Sequence, residues 1–475
     1  MPSASASREI HPSIILSICC MSLLLTGMDV TIVNVALPVM QRELHATVAQ
    51  LQWIIDAYTL VVASLLMLCG SMSDRFGRRR VFQIGMTTFA VGSLLCSLAP
   101  NIHTLIAFRA VQGIGASMMN PVALSIIANV FTQPKDRARA VGVWGAVAGV
   151  SLAAGPLLGG FLTQSFGWRA IFWVNLPIAL AAILLTIKYV PESRAPRARR
   201  PDPLGQVLVL AFLTLLTYGV IDSPRAGWSA PSTLAMLAAA AALFVFFLVH
   251  ESRRREPLLD LRFFRSVPFS TATFLALIAF ASFAGFLFLN VIYLQEARGY
   301  SALHTGLCTL PLAVAMMITA PLSGKLVAAR GPLYSMLISG TAFVASTAIL
   351  TQLSDALPLP LLLLAYALFG TGLGMVNPAI SNTAVAGMPL SQAGVAAAIA
   401  STGRQVGAAL GVAIAGTTIA IAHQQHKDFA SSTHSIWWAM LTGGVLVFLA
   451  GIVARTQWSQ KSTDYVAHLF DMPAQ

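Results

Sequence analysis

Long apolar stretches alternate with short polar ones along the whole chain. A helix needs about 20 predominantly apolar residues to cross a bilayer. Fourteen such stretches are legible, at 13–38, 49–70, 81–99, 102–128, 140–164, 169–190, 204–221, 231–250, 268–294, 303–327, 333–353, 358–384, 392–421 and 435–455. The pattern predicts fourteen membrane-crossing helices. An even number returns both ends of the chain to one side.

The polar connections divide by charge. Those on the side of the N-terminus hold Arg75, Arg78, Arg79 and Arg80, then Lys135, Arg137 and Arg139, then Lys188, Arg194, Arg197, Arg199 and Arg200, then Arg253, Arg254, Arg255, Arg262 and Arg265. The opposite side holds only Arg42, Arg169, Arg225, Arg298 and Lys427. Cytoplasmic loops carry the excess of Lys and Arg, so both termini are expected in the cytoplasm. Two basic tracts, 191–203 and 251–266, follow the sixth and the eighth stretch. They divide the chain into a six-helix bundle at 1–190, linkers with two inserted helices at 191–266, and a second six-helix bundle with a tail at 267–475.

Within the fourth stretch, residues 105–121 read LIAFRAVQGIGASMMNP, and residues 362–378 read LLLAYALFGTGLGMVNP. Leu, Ala, both glycines, Met, Asn and Pro recur at an offset of 257, with Tyr366 where Arg109 stood. Gly70 and Gly77 recur as Gly324 and Gly331, Asn34-Val35 as Asn290-Val291, and Gly145 and Gly149 as Gly403 and Gly407. Near-constant offsets imply duplicated halves of six helices, with the seventh and eighth stretches inserted between them.

Composition agrees with a membrane protein: 57% of residues are hydrophobic, 10% charged, and mean hydropathy is +0.77. The net charge of +12 sits in short clusters between apolar stretches rather than on one basic face, which excludes nucleic acid as the partner. Five cysteines fall within or at the ends of apolar stretches, a placement that fits neither a disulfide framework nor a metal motif. Arg8 followed by an apolar run, with no small-residue cleavage site, reads as a retained first helix rather than a signal peptide. No nucleotide-binding loop of the form Gly-x4-Gly-Lys-Ser/Thr occurs, so ATP is not expected to drive the protein. The nine histidines are scattered, so a membrane enzyme, and any cofactor or metal, is not expected.

Three ionisable residues lie inside the first six stretches, and such residues are functional candidates by default. At 1.5 Å of rise per residue, Asp29 lies about 13 Å below the outer end of the first helix, and Asp56 and Arg109 about 10 Å below those of the second and fourth. Helical spacing puts Thr26 beside Asp29, Gln52 beside Asp56 and Gln112 beside Arg109. Two acids and one base do not cancel. Arg109 keeps one carboxylate charged, with Asp29 the expected permanent partner. The other, Asp56, can hold a proton, or lose it and hold a cation, which is the competition that antiport needs. Phe280 and Phe283 share a helix face and could offer a ring face to a cation. Arg404 is embedded with no acid near it in sequence, either bonding a backbone carbonyl or reaching down to the cytoplasm.

Two glycine patterns complete the inventory. In the loop 70–80, Gly70 allows close helix approach, Gly77 a tight turn, and Asp74 can pair with Arg75 or Arg78 and latch helices on the cytoplasmic side. In the fifth stretch, Gly145 and Gly149, and Gly155 and Gly159, clear patches for another helix, while Pro156 bends it.

These motifs resemble the major facilitator superfamily. The loop 70–80 is similar to its signature between helices two and three, and 105–117, with Arg109, to that of its fourth helix. Gly149, Gly155, Pro156, Gly159 and Gly160 resemble the fifth-helix signature of its antiporters, which that resemblance implies limits leak between the halves. The first helix, from Met28, Asp29 and Thr31 to Asn34 and Pro38, resembles the signature of the fourteen-helix drug/proton antiporter branch, with Met28 where that branch often has Leu. The resemblance implies an all-α integral membrane fold of two six-helix bundles plus two inserted helices. It also implies a proton-coupled multidrug efflux antiporter of a bacterial inner membrane, exporting lipophilic and cationic compounds; the sequence does not give the oligomeric state, and a monomer is the favoured expectation. The alternative is a narrow exporter of one antibiotic or metabolite.

Overall fold

Local chemistry sets where each apolar stretch begins and ends as a helix. The computed structural model describes residues 12–194, 202–254, 257–354, 357–386, 388, 390–425, 429–454, 456–459, 461–462 and 465–466. The basic positions Arg197, Arg199, Arg200, Arg255 and Lys427 lie outside them. The α-helices are α1 (Pro12–Leu44), α2 (Val48–Phe76), α3 (Arg78–Ser97), α4 (Ile102–Val130), α5 (Pro134–Phe166), α6 (Ala170–Trp173), α7 (Asn175–Tyr189), α8 (Pro203–Ala226), α9 (Pro231–Arg253), α10 (Val267–Ile292), α11 (Ala302–Cys308), α12 (Leu310–Arg330), α13 (Pro332–Leu350), α14 (Leu359–Val385), α15 (Leu390–Gln424) and α16 (Phe429–Val453).

Thirteen segments are long and apolar enough to cross a membrane. The fourteenth expected span is α3, whose 20 residues include Gln83, Thr87, Thr88 and Ser93 and are less apolar. Two spans are broken that the sequence reads as continuous: α6 gives way to α7 at Val174, and α11 to α12 at Thr309. Capping boxes start α2, through Thr47 and Gln50, and α4, through Asn101 and Thr104. Each satisfies two helix N–H groups that would otherwise lack a partner.

Helices α1–α7 pack mainly on one another, as do α10–α16. The two sets meet along α2 with α15, α5 with α11 and α12, and α1 with α10. Helix α9 packs on α8, and α8 on α2 and α15, so the inserted pair lies along one seam. The architecture is two six-span bundles with that pair added outside them.

The duplication seen in the letters is present in the contacts. A Cβ on Gly113 would lie 2.8 Å from the Tyr58 carbonyl oxygen, and one on Gly370 2.0 Å from that of Leu312. Likewise Gly115 abuts Phe89, and Gly372 abuts Phe343. Tyr58 and Leu312, and Phe89 and Phe343, are each 254 positions apart. The turns α2–α3 and α12–α13 pivot on Gly77, at φ 113°, and Gly331, at φ 77°, backbone that L side chains rarely adopt.

One hydrophobic core joins the two bundles on the side away from the arginine-rich loops. It runs from Met28, Ile32, Leu37, Leu51, Ile55 and Phe172 of the first bundle into Phe286, Leu289, Leu312 and Phe369 of the second. On the arginine-rich side the first bundle keeps a separate core around Ile18, Leu25, Val62, Phe82, Phe89 and Ile126.

Candidate functional site

Arg109 stands at the meeting point of α1, α2, α3, α4 and α7, where it is 1% exposed. Its Nη1 donates to Asp29 Oδ2 at 2.6 Å and to Gln112 Oε1 at 2.7 Å. Gln112 Nε2 donates to Asp29 Oδ1 at 2.8 Å, closing a ring of three side chains. Arg109 Nε donates to the Ile54 carbonyl at 3.1 Å, and its guanidinium lies 4.3 Å from the centre of the Tyr58 ring. From α7, Asn175 Nδ2 donates to Asp29 Oδ1 at 3.3 Å and to Ser93 Oγ at 3.1 Å. Asp29 thus accepts from three side chains and is fully satisfied as a carboxylate, which is what makes a buried ion pair tolerable.

Sequence spacing identified Asp29, Arg109 and Gln112. It missed Asn175 and Tyr58, whose only signal is a polar group in an apolar helix. Thr26 turns away from Asp29: its hydroxyl has the Ser22 and Leu23 carbonyls and Asn120 Oδ1 as acceptors within hydrogen-bonding reach.

Asp56 stands apart from this network. It is 0% exposed, and neither carboxylate oxygen finds a hydrogen-bond partner among the described residues. Gln52, one turn before it on α2, bonds away from it. Its Nε2 donates to the Val412 and Ala413 carbonyls of α15, at 3.3 and 2.8 Å, across the seam between the bundles. A Cβ on Gly416 would lie 2.3 Å from the Gln52 side-chain carbonyl carbon, so glycine there makes room for that reach.

The second bundle keeps the position of Arg109 and changes its chemistry. Tyr366 donates to Asn290 of α10, and Phe286 sits edge-on to the Tyr366 ring at 5.2 Å. Phe283 is 4% exposed, within the core, and edge-on to Phe280 at 6.4 Å. The face of Phe280 already carries a cation: the Arg404 guanidinium lies 5.8 Å from its centre. Arg404 Nη2 donates to Ser401 Oγ, and its Nη1 has no partner among the described residues. Among the described residues the hydrogen-bond partner of Arg404 is thus a serine hydroxyl rather than a backbone carbonyl, and the residue is half-buried.

On the arginine-rich side, Asp74 Oδ1 accepts from Arg78 Nη2 at 3.0 Å within the loop. Arg75 instead lies over the Phe76 ring at 5.6 Å. The residue that ties this loop to its surroundings is Glu192, which the sequence hides in a proline-rich linker. Its carboxylate accepts from the backbone N–H groups of Arg79 and Arg80, at 3.1 and 3.3 Å, where an acid complements the α3 N-terminus. A Cβ on Gly77 would lie 2.6 Å from it. Gly70 has open space around it.

The glycine face of α5 serves two partners. Gly155 abuts Thr31 and Gly159 abuts Ile32 of α1, while Gly160 abuts the Ala302 carbonyl of α11. Gly306 of α11 meets the Pro156 carbonyl in return, and Gly149 approaches Met317 of α12. Helix α5 is therefore packed at once on its own bundle and on the other.

Comparison with known proteins identifies the family. The sequence profile of the Major Facilitator Superfamily matches residues 19–412. The Multidrug resistance protein Stp of Mycobacterium tuberculosis is 36% identical over 400 residues, covering 84% of this chain and 74% of that one. The Tetracenomycin C resistance and export protein of Streptomyces glaucescens is 36% identical over 398 residues, with the same coverage of 84% and 74%. The Puromycin resistance protein pur8 of Streptomyces alboniger is 37% identical over 399 residues, covering 83% and 79%. Among solved structures, the human organic anion transporter MFSD10 shares the fold at a TM-score of 0.62 and 19% identity, covering 92% of this chain and 99% of that one. The chain is a multi-pass membrane transporter, not an enzyme, and belongs to the Major Facilitator Superfamily.

Proposed function

We propose that this chain exports drug-type lipophilic compounds, cations among them, from a bacterial cytoplasm across the inner membrane in exchange for protons. Both termini are cytoplasmic in this reading. The observation that carries it is Asp56, a fully buried carboxyl whose oxygens have no partner among the described residues. A buried charge without a partner is very costly, so the group is resolved either by a proton or by a cationic substrate, and the two compete. Asp29 and Arg109 neutralise one another and hold the first bundle in shape around that exchange. Gln52, Phe280 and Phe283 form the rest of the proposed substrate surface, where an entering cation displaces Arg404 from the Phe280 ring. The core shared by the bundles away from the arginine-rich loops supports a state closed to the outside. Rocking the bundles about the α2–α15 and α5–α11 contacts gives alternating access.

A second reading is favoured by relatives named for a single antibiotic: the chain exports one such compound. Growth inhibition by a panel of dyes, biocides and antibiotics, in an efflux-deficient bacterium with and without this chain, separates the two. Protection against several unrelated cationic dyes supports the broad exporter. Protection against one compound supports the narrow exporter, and protection against none contradicts both.

A further inference from the structure

The two inserted helices bring together three side chains that sequence separates by almost fifty positions. Asp202 caps the N-terminus of α8, its Oδ1 accepting from the Gly205 N–H at 3.0 Å. Near the end of α9, His250 places Nε2 3.1 Å from Asp202 Oδ2. Glu251 follows directly, and its Oε2 accepts from the Leu259 N–H at 2.8 Å. Asp202 and Glu251 are each 2% exposed. The donor atoms of the three residues lie within 4.8 Å of one another.

One atom in this group is unexplained. Glu251 Oε1 is buried and has no hydrogen-bond partner among the described residues. It and Asp202 Oδ2 approach the same point: each would lie 2.6 Å from a Cβ placed on Gly205. Two carboxylate oxygens thus face a space that only glycine leaves free, with an imidazole nitrogen beside them. Arg254 Nη1 lies 3.1 Å from the other oxygen of Asp202, Oδ1. Two adjacent buried carboxylates repel unless a cation or a shared proton lies between them.

We propose that Asp202 Oδ2, Glu251 Oε1 and His250 Nε2 bind a divalent transition-metal cation of the Zn2+ class. Two carboxylates and one imidazole are a donor set suited to such an ion, with water in the fourth position. The ion pins the start of α8 to the end of α9 and, through the Glu251–Leu259 bond, to the linker leading into α10. It is a clamp on the inserted pair and takes no part in the exchange at Asp56.

The test uses full-length protein without a histidine tag, stripped with chelator in detergent and titrated with Zn2+ alone by calorimetry. One ion per chain is expected, with binding weakened at least tenfold by Glu251→Gln and by His250→Ala. Glu251→Gln retains an oxygen for the Leu259 N–H, so folding is preserved. Zn2+ should raise the melting midpoint of the wild type and leave that of Glu251→Gln unmoved. Absence of stoichiometric binding, or equal binding by wild type and both variants, overturns the site; the carboxyls would then share a proton.

Discussion

Arg109 and Arg404 are both arginines inside apolar helices, each over an aromatic ring, and their polar surroundings differ. Arg109 has a carboxylate, an amide, a backbone carbonyl and an aromatic ring. Arg404 has a serine hydroxyl and a phenyl ring. Removing the charge of Asp29 leaves Arg109 buried and uncompensated, which costs about 3–5 kcal/mol. Asp29→Asn is therefore expected to lower the amount of folded protein in the membrane and to abolish transport of neutral and cationic compounds alike; normal export of a neutral compound by that variant would contradict the pairing. Asp29 and Arg109 were legible in the sequence because charge inside an apolar stretch marks itself, and Gln112 because it stands three residues after Arg109 on the same helix. Asn175 was not, since one amide at a helix break carries no such mark. The i, i+4 rule put Gln52 on the face of Asp56 correctly, but spacing along one helix does not say that carbonyls of α15 compete for its amide.

At the scale of elements, glycine decides which helices touch. The fourteen spans, the Gly155–Gly159 pair and the turns at Gly77 and Gly331 were readable from letters, because bilayer thickness and close packing constrain them directly. The breaks at Val174 and Thr309 were not, since each lies inside a stretch long and apolar enough to read as one span, although Asn175 and Pro177, and Thr309 and Pro311, mark them. Glu192 was missed because a proline-rich tract reads as linker, although its carboxylate holds the N–H groups that start α3. Losing such a cap costs about 1 kcal/mol. Glu192→Ala is expected to lower the melting midpoint of the purified protein by a few degrees and to slow export, whereas Asp74→Asn, which breaks the pair with Arg78, is expected to nearly abolish export while leaving the amount in the membrane unchanged. Quantitative blots with efflux rates separate the two effects. Wild-type export by Asp74→Asn would reduce the loop to a signal for membrane orientation.

For the whole molecule, the duplicated halves keep their contacts while diverging in charge. The fourth-span position reaches the first span of its own bundle in both, as Arg109 to Asp29 and as Tyr366 to Asn290. Among the described residues of the two bundles, the fully buried acids Asp29 and Asp56 both belong to the first, so protons are expected to load there. The bundles meet away from the arginine-rich loops through Gln295 Nε2 to the Val35 carbonyl, at 2.8 Å, and the Leu303 N–H to Gln164 Oε1, at 3.3 Å. Cross-linking Gln164→Cys to Leu303→Cys with a short bifunctional reagent, in a background lacking the five native cysteines, is expected to lock that closure and stop export; continued export by the linked protein would show that the bundles do not part there. The central claim is that Asp56 is the exchangeable acid, and vesicles under an imposed pH gradient test it most directly, with uptake of one cationic and one neutral dye measured for wild type and Asp56→Asn. The account predicts that Asp56→Asn loses gradient-driven transport of the cation and keeps that of the neutral dye. Cation transport at the wild-type rate by Asp56→Asn would contradict it.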